Sequence, residues 1–149
     1  MVNLLMNNVF FKIISHGTPE YQALVVLRED ILLKPLGLSF SIDVLEKEKG
    51  HIHIAGFKRN EIVATIALAP KGEKCKMKRV VVRTDMQYSG LGSKMIVFFE
   101  KYAKAQGFKS IYCHARDSAV HFYLKHNYVA EGDYFDIDTV KHLLMRKVI

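Results

Sequence analysis

The sequence contains only two cysteines, Cys75 and Cys113, and no apolar run that approaches the length of a membrane span. Two isolated thiols do not form a disulfide framework, and they suit a reducing compartment. A membrane-spanning helix needs about 20 consecutive apolar residues, so we expect no membrane association. Residues 1–6 lack the basic start and the small-residue cleavage site of a secretory leader. These absences predict a cytoplasmic protein.

The composition predicts one globular domain over residues 1–149. Half of the residues are apolar and a quarter are charged, which excludes a disordered chain. The net charge of +7 is unevenly placed, because cations crowd the approach to residue 87 and one follows it. They are Lys71, Lys74, Lys76, Lys78, Arg79, Arg83 and Lys94. Such a field attracts an anionic ligand. It would also attract nucleic acid, but no nucleic-acid-binding motif accompanies the charge, so we expect no nucleic-acid partner.

The central sequence feature is a β-branched run that passes through a glycine turn into a helix. Val80, Val81 and Val82 are typical of a buried strand, and Gly90 and Gly92 follow one residue apart. An apolar stripe with helical spacing comes next, at Leu91, Met95, Phe98, Phe99 and Tyr102. A strand that turns on glycines into a helix presents free backbone N–H groups and the positive end of the helix dipole. Both attract phosphate.

Two common nucleotide-binding motifs do not fit this turn. The dinucleotide fingerprint requires a third glycine where the chain has Met95. The Walker motif requires four residues between its glycines, and only Leu91 separates Gly90 from Gly92. The pattern that remains is Gln-x-x-Gly-x-Gly over residues 87–92.

The remaining periodicities predict the element order β-α-α-β-β-β-α-β-α-β-β, a mixed sheet flanked by helices on both faces. The predicted strands cover residues 9–16, 51–58, 61–69, 76–83, 109–115, 128–135 and 141–148. The predicted helices cover residues 19–34, 42–49, 91–105 and 118–125. Arg59-Asn60 reads as a hairpin turn. The crossover through the third helix predicts that residues 109–115 run parallel to residues 80–83.

A second motif begins at Ala119 and continues through Phe122, Tyr123, Asn127 and Tyr128. Together with Gln-x-x-Gly-x-Gly it resembles the GCN5-related N-acetyltransferase (GNAT) superfamily, whose element order is the one predicted here. The resemblance covers nearly the whole chain and is specific over residues 76–128. Asn127 stands where the superfamily usually has glycine, and asparagine tolerates the left-handed conformation that this position requires. Residues 28–38 and 141–147 also resemble a small bacterial subgroup of these enzymes.

The resemblance implies an α/β N-acyltransferase that uses acetyl-CoA as co-substrate and acts on a primary amine of a small molecule or peptide. It implies direct acyl transfer in a ternary complex, with Tyr123 as the catalytic residue that protonates the departing thiolate. The cofactor-binding residues that it implies are Val80, Val81, Val82, Gln87, Tyr88, Ser89, Gly90, Leu91, Gly92 and Ser93. The valines would pair with the pantetheine arm, and the later backbone N–H groups would hold the diphosphate.

The general base is not indicated by the resemblance. Many members carry a carboxylate on the strand before the glycine turn, but this chain has Lys78, Val80 and Val82 at the alternate positions. Other candidates are His114, Asp138 and His142, and a water relay or an already deprotonated amine serves equally well.

Two alternatives to an acyltransferase remain open, and a homodimer is compatible with each reading. The first is a non-catalytic acyl-CoA-binding domain, and the second is a basic nucleic-acid-binding domain. His51 and His53 alternate on a predicted strand and point to one face, but no third ligand is in register. We therefore expect no metal site, and we expect this strand face to be partly exposed.

Overall fold

A computed structural model describes residues 8–149, whose strands form one seven-stranded sheet in the order β1-β2-β3-β4-β5-β7-β6. The strands are β1 (Val9–Ile14), β2 (Ile52–Lys58), β3 (Glu61–Lys71), β4 (Lys74–Val82), β5 (Ser110–Arg116), β6 (Val129–Ile137) and β7 (Val140–Val148). The α-helices are α1 (Pro19–Arg28), α2 (Ile42–Lys47), α3 (Leu91–Ala105) and α4 (Val120–Lys125). Single turns of 3-10 or π-helix cover Glu29–Leu33, Lys34–Leu36, Glu48–Gly50, Thr84–Met86 and Asp117–Ala119. The predicted element order and mixed sheet are confirmed.

The two faces of the sheet are covered by different helices. On one face, α3 and α4 bury their apolar stripes against the central strands, and Met95, Ile96 and Phe99 are fully inaccessible to solvent. On the other face, α1 packs Tyr21 and Leu24 against β2. The centre of β2 and β3 is therefore buried on both faces, which explains their almost unbroken apolar sequence.

Two turns adopt the left-handed conformations that their sequences suggested. Arg59 and Asn60 have φ values of 51° and 65°, which are typical of a two-residue hairpin, and they join β2 to β3. Asn127 has a φ of 68° and follows His126, the C-cap residue of α4, and the Tyr128 N–H donates to Tyr123 O across it at 3.0 Å. Asn127 thus ends the helix as glycine would, and this prediction is confirmed.

The central feature of the sheet is the separation of β4 from β5. The two strands run parallel, as predicted, but they pair only where Lys74–Lys76 faces Ser110–Tyr112. The strands diverge beyond Tyr112, so residues 80–83 do not pair with β5, while the opposite edge of β5 pairs with β7 along the whole strand. A V-shaped opening therefore lies between the second half of β4 and the second half of β5.

Candidate active site

The backbone of β4 faces the V-shaped opening at alternate residues. Arg83 N donates to Val63 O of β3 at 2.8 Å, so by strand alternation Val81 also directs its backbone groups toward β3. Val80 and Val82 direct theirs toward the opening. The side chain of Val81 is 2% exposed and belongs to the core. Of the three valines named from the sequence, Val80 and Val82 are the ones placed to pair with an extended ligand, in the manner of an added strand.

A β-bulge interrupts β4 at Arg79, immediately before these residues. Thr65 pairs with Val81 and Ala67 pairs with Lys78, so two residues of β4 oppose one residue of β3. Arg79 adopts a positive φ of 55°, and Thr65 Oγ1 donates to its carbonyl oxygen at 3.1 Å. The bulge bends the strand at the mouth of the opening and sets the direction of the Val80 backbone.

The loop between β4 and α3 forms a backbone anion site. Tyr88 and Gly90 are both left-handed, with φ values of 62° and 87°, and Gly90 is the N-cap of α3. Lys94 N makes the bond to Gly90 O that begins the helix, so the earlier N–H groups of Leu91, Gly92 and Ser93 have no helical acceptor. A concave run of free N–H groups at the positive end of a fifteen-residue helix suits a diphosphate.

Side chains in this loop bond to the protein and leave the backbone as the donor surface. Gln87 Nε2 donates to Val82 O at 3.0 Å, which fixes the loop to the end of β4. Ser89 Oγ donates to Met86 O, and Ser93 Oγ lies 2.9 Å from His126 Nε2 of the segment after α4. The Tyr88 ring is fully exposed and Leu91 is buried in the core. Gly92 lies against the Phe122 ring, which an added Cβ would meet at 3.4 Å.

Tyr123 points from α4 into the core on the α3/α4 face of the sheet and is 4% exposed. Its ring makes edge contacts with Phe122 and Tyr128, at centroid distances of 5.3 and 5.6 Å. Burial raises the pKa of Tyr123, with a further contribution from the Cys113 thiol on β5. Cys113 directly follows the last residue of β5 that pairs with β4. The hydroxyl is therefore protonated at neutral pH, as a proton donor must be.

A buried polar network supports the bulge from the opposite face. Arg28, 1% exposed at the end of α1, donates to Thr65 Oγ1 at 3.2 Å and to His53 Nδ1 at 3.1 Å. Glu48 is 2% exposed and accepts two hydrogen bonds from Arg79, at 2.8 and 3.2 Å. Burial lowers the pKa of Arg28 to about 9. Arg28, Thr65 and Glu48 thus tie α1 and β3, together with the turn after α2, to the bulged residue Arg79.

This network was not predicted as a functional unit, although one sequence signal pointed to it. Arg28 lies about two helical turns after Tyr21 and about one turn after Leu24, on the same buried stripe of α1. An arginine on an apolar stripe indicates a buried partner. Glu48 gave no comparable signal, because its partner Arg79 is 31 residues away.

Glu48 is a structural carboxylate and not a general base. Burial acts to raise the pKa of Glu48, but the hydrogen bond and charge of Arg79, with Lys78 and Arg28, hold it below its usual value. A carboxylate that is held ionised between cations has little tendency to accept a proton. Its neighbours therefore explain why this acid, although close to the bulge, does not replace the missing strand carboxylate.

The expectation of a partly exposed His51–His53 face is wrong for His53, which is 1% exposed. Helix α1 and the turn after α2 cover this end of β2. Since a guanidinium has only donors, His53 Nδ1 must accept from Arg28, and its proton lies on Nε2, which donates to Glu48 O at 3.0 Å. Burial, with the charge of Arg28, lowers the pKa of His53 to about 4. His53 is thus a neutral core histidine.

This environment predicts a pH dependence of stability. Between the pKa of about 4 in the folded state and about 6.5 in the unfolded state, the unfolded chain binds the extra proton, so the free energy of unfolding should fall by about 3 kcal/mol as pH drops through this window. Urea denaturation at pH steps from 7.5 to 4.5 measures it. His53→Gln, which keeps a donor for Glu48 O, should be less stable at pH 7.5 and should flatten this slope. His121→Gln, at an exposed site on α4, should retain it; an equal slope in His53→Gln would show that His53 is not responsible.

The three base candidates lie at different distances from the opening. His114 is two residues beyond the last β4–β5 pair, and burial, together with Lys76 and His142, lowers its pKa. His142 of β7 pairs with Arg116 of β5 and is 7% exposed, with its Nδ1 2.7 Å from Val140 O. Asp138 lies in the β6–β7 turn. His114 is therefore the candidate positioned where the strands separate, and it is neutral at pH 7.

The cations that crowd the glycine turn in sequence do not gather there in space. Lys74, Lys76 and Lys78 alternate with the buried Cys75 and Met77, so they lie on the face of the sheet opposite α3. Arg83 lies near the turn but is occupied by Glu61 and Asp85, at 3.0 and 2.7 Å. The expectation that all of these cations attract an anionic ligand to the glycine turn is therefore wrong.

Within residues 8–149, no helix is long and apolar enough to cross a membrane, and no three His, Cys, Asp or Glu side chains are grouped to hold a metal ion. Cys75 and Cys113 are free and buried, and burial raises the pKa of each thiol to about 12. The predicted absence of a secretory leader concerns residues 1–6, which lie outside the described part of the chain.

The chain belongs to the GNAT acetyltransferase family, whose model matches residues 18–128. A Bacillus subtilis (strain 168) protein provisionally named an acetyltransferase is 28% identical over 95 residues, which are 64% of this chain and 65% of that protein. The match thus spans a little under two thirds of the relative's length.

Solved structures share the fold. Escherichia coli ElaA matches with a TM-score of 0.80 and 17% identity, over 93% of this chain and 99% of that one. A GNAT acetyltransferase from Elizabethkingia anophelis, solved with acetyl-CoA bound, matches with a TM-score of 0.73 and 15% identity, over 96% of this chain and 99% of that one. The resemblance inferred from the sequence is confirmed at the level of family and fold.

Proposed function

We propose that this protein is an acetyl-CoA-dependent N-acyltransferase that acts on a primary amine of a small molecule or peptide by direct transfer in a ternary complex. The observation that carries the proposal is that the open edge of β4 leads directly into a loop with free backbone N–H groups. A strand edge is left open by the divergence of β4 from β5, and it leads into a loop with left-handed Tyr88 and Gly90 before α3. Family membership and the acetyl-CoA-bound structural neighbour support it.

The residues present fit coenzyme A. The N–H groups of residues 88–93 would bind the diphosphate, since they converge at the helix N-terminus without helical acceptors. The Val80 and Val82 backbones would pair with the amides of the pantetheine arm. Acetyl-CoA supplies the activated acyl group as a thioester. The Val80 N–H, directed by the bulge at Arg79, would polarise the thioester carbonyl.

Proton movements would be shared between the two faces of the opening. The amine nitrogen bonds to the acyl carbon as the carbon–sulfur bond breaks, and Tyr123 would give its proton to the departing sulfur. Because burial raises the pKa of Tyr123, this proton must move as the thiolate leaves and not beforehand. Neutral His114, or water beside it, would take the proton that the amine loses.

The test is release of free thiol from acetyl-CoA in the presence of amines, polyamines, amino acids, aminosugars and peptides, paired with calorimetric binding of coenzyme A. We expect micromolar affinity and amine-dependent thiol release. Binding without release for every amine would favour a non-catalytic acyl-CoA-binding domain. Steeply salt-dependent binding of nucleic acid without any thermal shift by coenzyme A would favour the basic-domain alternative. The single domain over residues 1–149, the cytoplasmic location and a homodimer stay predictions from the sequence.

A further inference from the structure

The lysines of β4 that do not serve the glycine turn lie on the face of the sheet that carries an open cleft, and Lys74 lines this cleft. On the face opposite α3, Lys74 stands beside Tyr112 of β5, with Nζ 5.3 Å from the ring centroid. Tyr112 and His114 of β5 pair with Arg146 and Leu144 of the neighbouring strand β7. These side chains and Glu131 line an open cleft of about 310 Å³. Helices α3 and α4 occupy the other face of the sheet, so this cleft is separate from the diphosphate loop.

The cleft runs into the opening between β4 and β5. Lys76 and Tyr112 form the last pair between the two strands, and both side chains lie on the cleft side. His114 follows two residues later, at the start of the opening, and also lines the cleft. A strand rises about 3.3 Å per residue, so Lys76 lies roughly 7 Å from the level of Lys78 and Lys74 roughly 13 Å. An amine placed at the opening would therefore extend its other end over Lys76 and Lys74.

Positive charge exceeds negative charge on this surface. Glu48 pairs with both Lys78 and Arg79, at 3.6 and 2.8 Å, and Glu131 pairs with Arg146 at 2.8 Å. Among residues 8–149, the contact of Lys74 is with the Tyr112 ring, and neither Lys74 nor Lys76 has a carboxylate within ion-pair distance. Burial lowers the pKa of Lys76, and the charges of Arg79 and Lys71 lower it further, as expected for an ammonium group beside like charges.

We propose that the amine acceptor carries an anionic group, a carboxylate or a phosphate, which Lys74 in this cleft and Lys76 beside it bind while the amine reaches the opening. The inference rests on the proposed acyltransferase function and names the substrate class of that site. An anionic group would neutralise the excess charge, and charge-assisted hydrogen bonds from the half-buried Lys76 and the exposed Lys74 are stronger than hydrogen bonds between neutral groups. Polyamines and aminoglycoside-like acceptors would instead meet repulsion from the same lysines.

The test compares acceptors that differ only in charge. Suitable pairs are β-alanine with β-alaninamide, γ-aminobutyrate with its amide, and phosphoethanolamine with ethanolamine, assayed by thiol release from acetyl-CoA. The first two pairs test a carboxylate and the third tests a phosphate. We expect the charged member of at least one pair to have a KM roughly tenfold or more below that of its neutral partner.

Variants of Lys76 distinguish direct binding of the acceptor's anionic group from an effect of the protein's total positive charge. Lys76→Gln should raise the KM for the anionic acceptor about tenfold, change its kcat little, leave the neutral acceptor unaffected and bind coenzyme A normally. Lys76→Arg should retain most of the preference. Lys104→Gln, which removes one charge from an exposed site on α3, is the matched control and should behave as wild type.

Equilibrium binding gives a readout that does not need turnover. Titration of N-acetyl-β-alanine and of its amide into the protein saturated with coenzyme A should detect tighter binding of the anion, and Lys76→Gln should abolish the difference. Equal binding of the two compounds, or a Lys76→Gln variant that matches Lys104→Gln, contradicts the anionic acceptor while leaving the acyltransferase intact. Failure of the protein to bind coenzyme A at all contradicts the proposed function itself.

Discussion

Replacement of Tyr123 by phenylalanine is expected to lower kcat by about 10²- to 10⁴-fold, the usual contribution of a positioned general acid. The Kd for coenzyme A should change less than twofold. Phenylalanine fills the same buried space between Phe122 and Tyr128, so the loss reports the hydroxyl and not the packing. Thiol-release kinetics on the best acceptor, with calorimetry of coenzyme A on the same preparation, measure the two quantities.

Tyr128→Phe is the matched control, because Tyr128 is also a buried tyrosine and touches Tyr123. Its hydroxyl is already used to donate to Glu100 Oε2 at 2.8 Å, so its loss should cost about 1 kcal/mol of unfolding free energy and leave kcat within a few fold. If Tyr123→Phe and Tyr128→Phe reduced kcat equally, Tyr123 would be a core residue and the proton would come from elsewhere.

Replacement of Gly90 by alanine is expected to weaken binding of coenzyme A by roughly 10- to 100-fold, equivalent to the loss of one or two charge-assisted hydrogen bonds. Gly90 has a φ of 87°, and a Cβ there costs about 1–2 kcal/mol in the left-handed region, so the loop should relax and the N–H groups should lose their convergence. Calorimetric titration of coenzyme A measures the change.

The other end of the same helix provides the control for this substitution. Gly107 follows α3 with a φ of 92°, and an added Cβ would meet nothing within 4 Å. Gly107→Ala therefore introduces the same backbone strain and a similar loss of thermal stability, but it should not alter affinity for coenzyme A. A parallel loss of affinity in both variants would mean that the effect comes from general destabilisation of α3.

The local part of the site could be predicted from the sequence because its signals are close together in the chain. The glycine turn and the end of α4 at Asn127 are defined by the backbone preferences of a few neighbouring residues. The structure has left-handed residues at both places, Gly90 before α3 and Asn127 after α4. The element order followed from periodicity for the same reason. Residue roles at Tyr123 and at the loop stay predictions, since they depend on a ligand.

The remainder of the site depends on contacts between distant segments. Arg28 meets Thr65 across 37 residues and Glu48 meets Arg79 across 31, and neither pairing follows from local pattern. The length over which β4 and β5 pair is equally non-local, because it depends on how Lys74–Lys76 meets Ser110–Tyr112, two segments that helix α3 separates in the chain. The run of lysines was misread for a simpler reason. Strand alternation turns Lys74, Lys76 and Lys78 away from the helix that their sequence neighbours approach.

The most direct measurement is calorimetric titration of the wild-type protein with coenzyme A and, in parallel, with pantetheine, which lacks the nucleotide and its diphosphate. If the backbone amides of residues 88–93 hold the diphosphate, coenzyme A should bind at least 100-fold more tightly than pantetheine, a difference of about 2.7 kcal/mol. Equal affinities for the two compounds, or no heat from coenzyme A at millimolar concentration, would contradict the cradle on which the proposed chemistry depends.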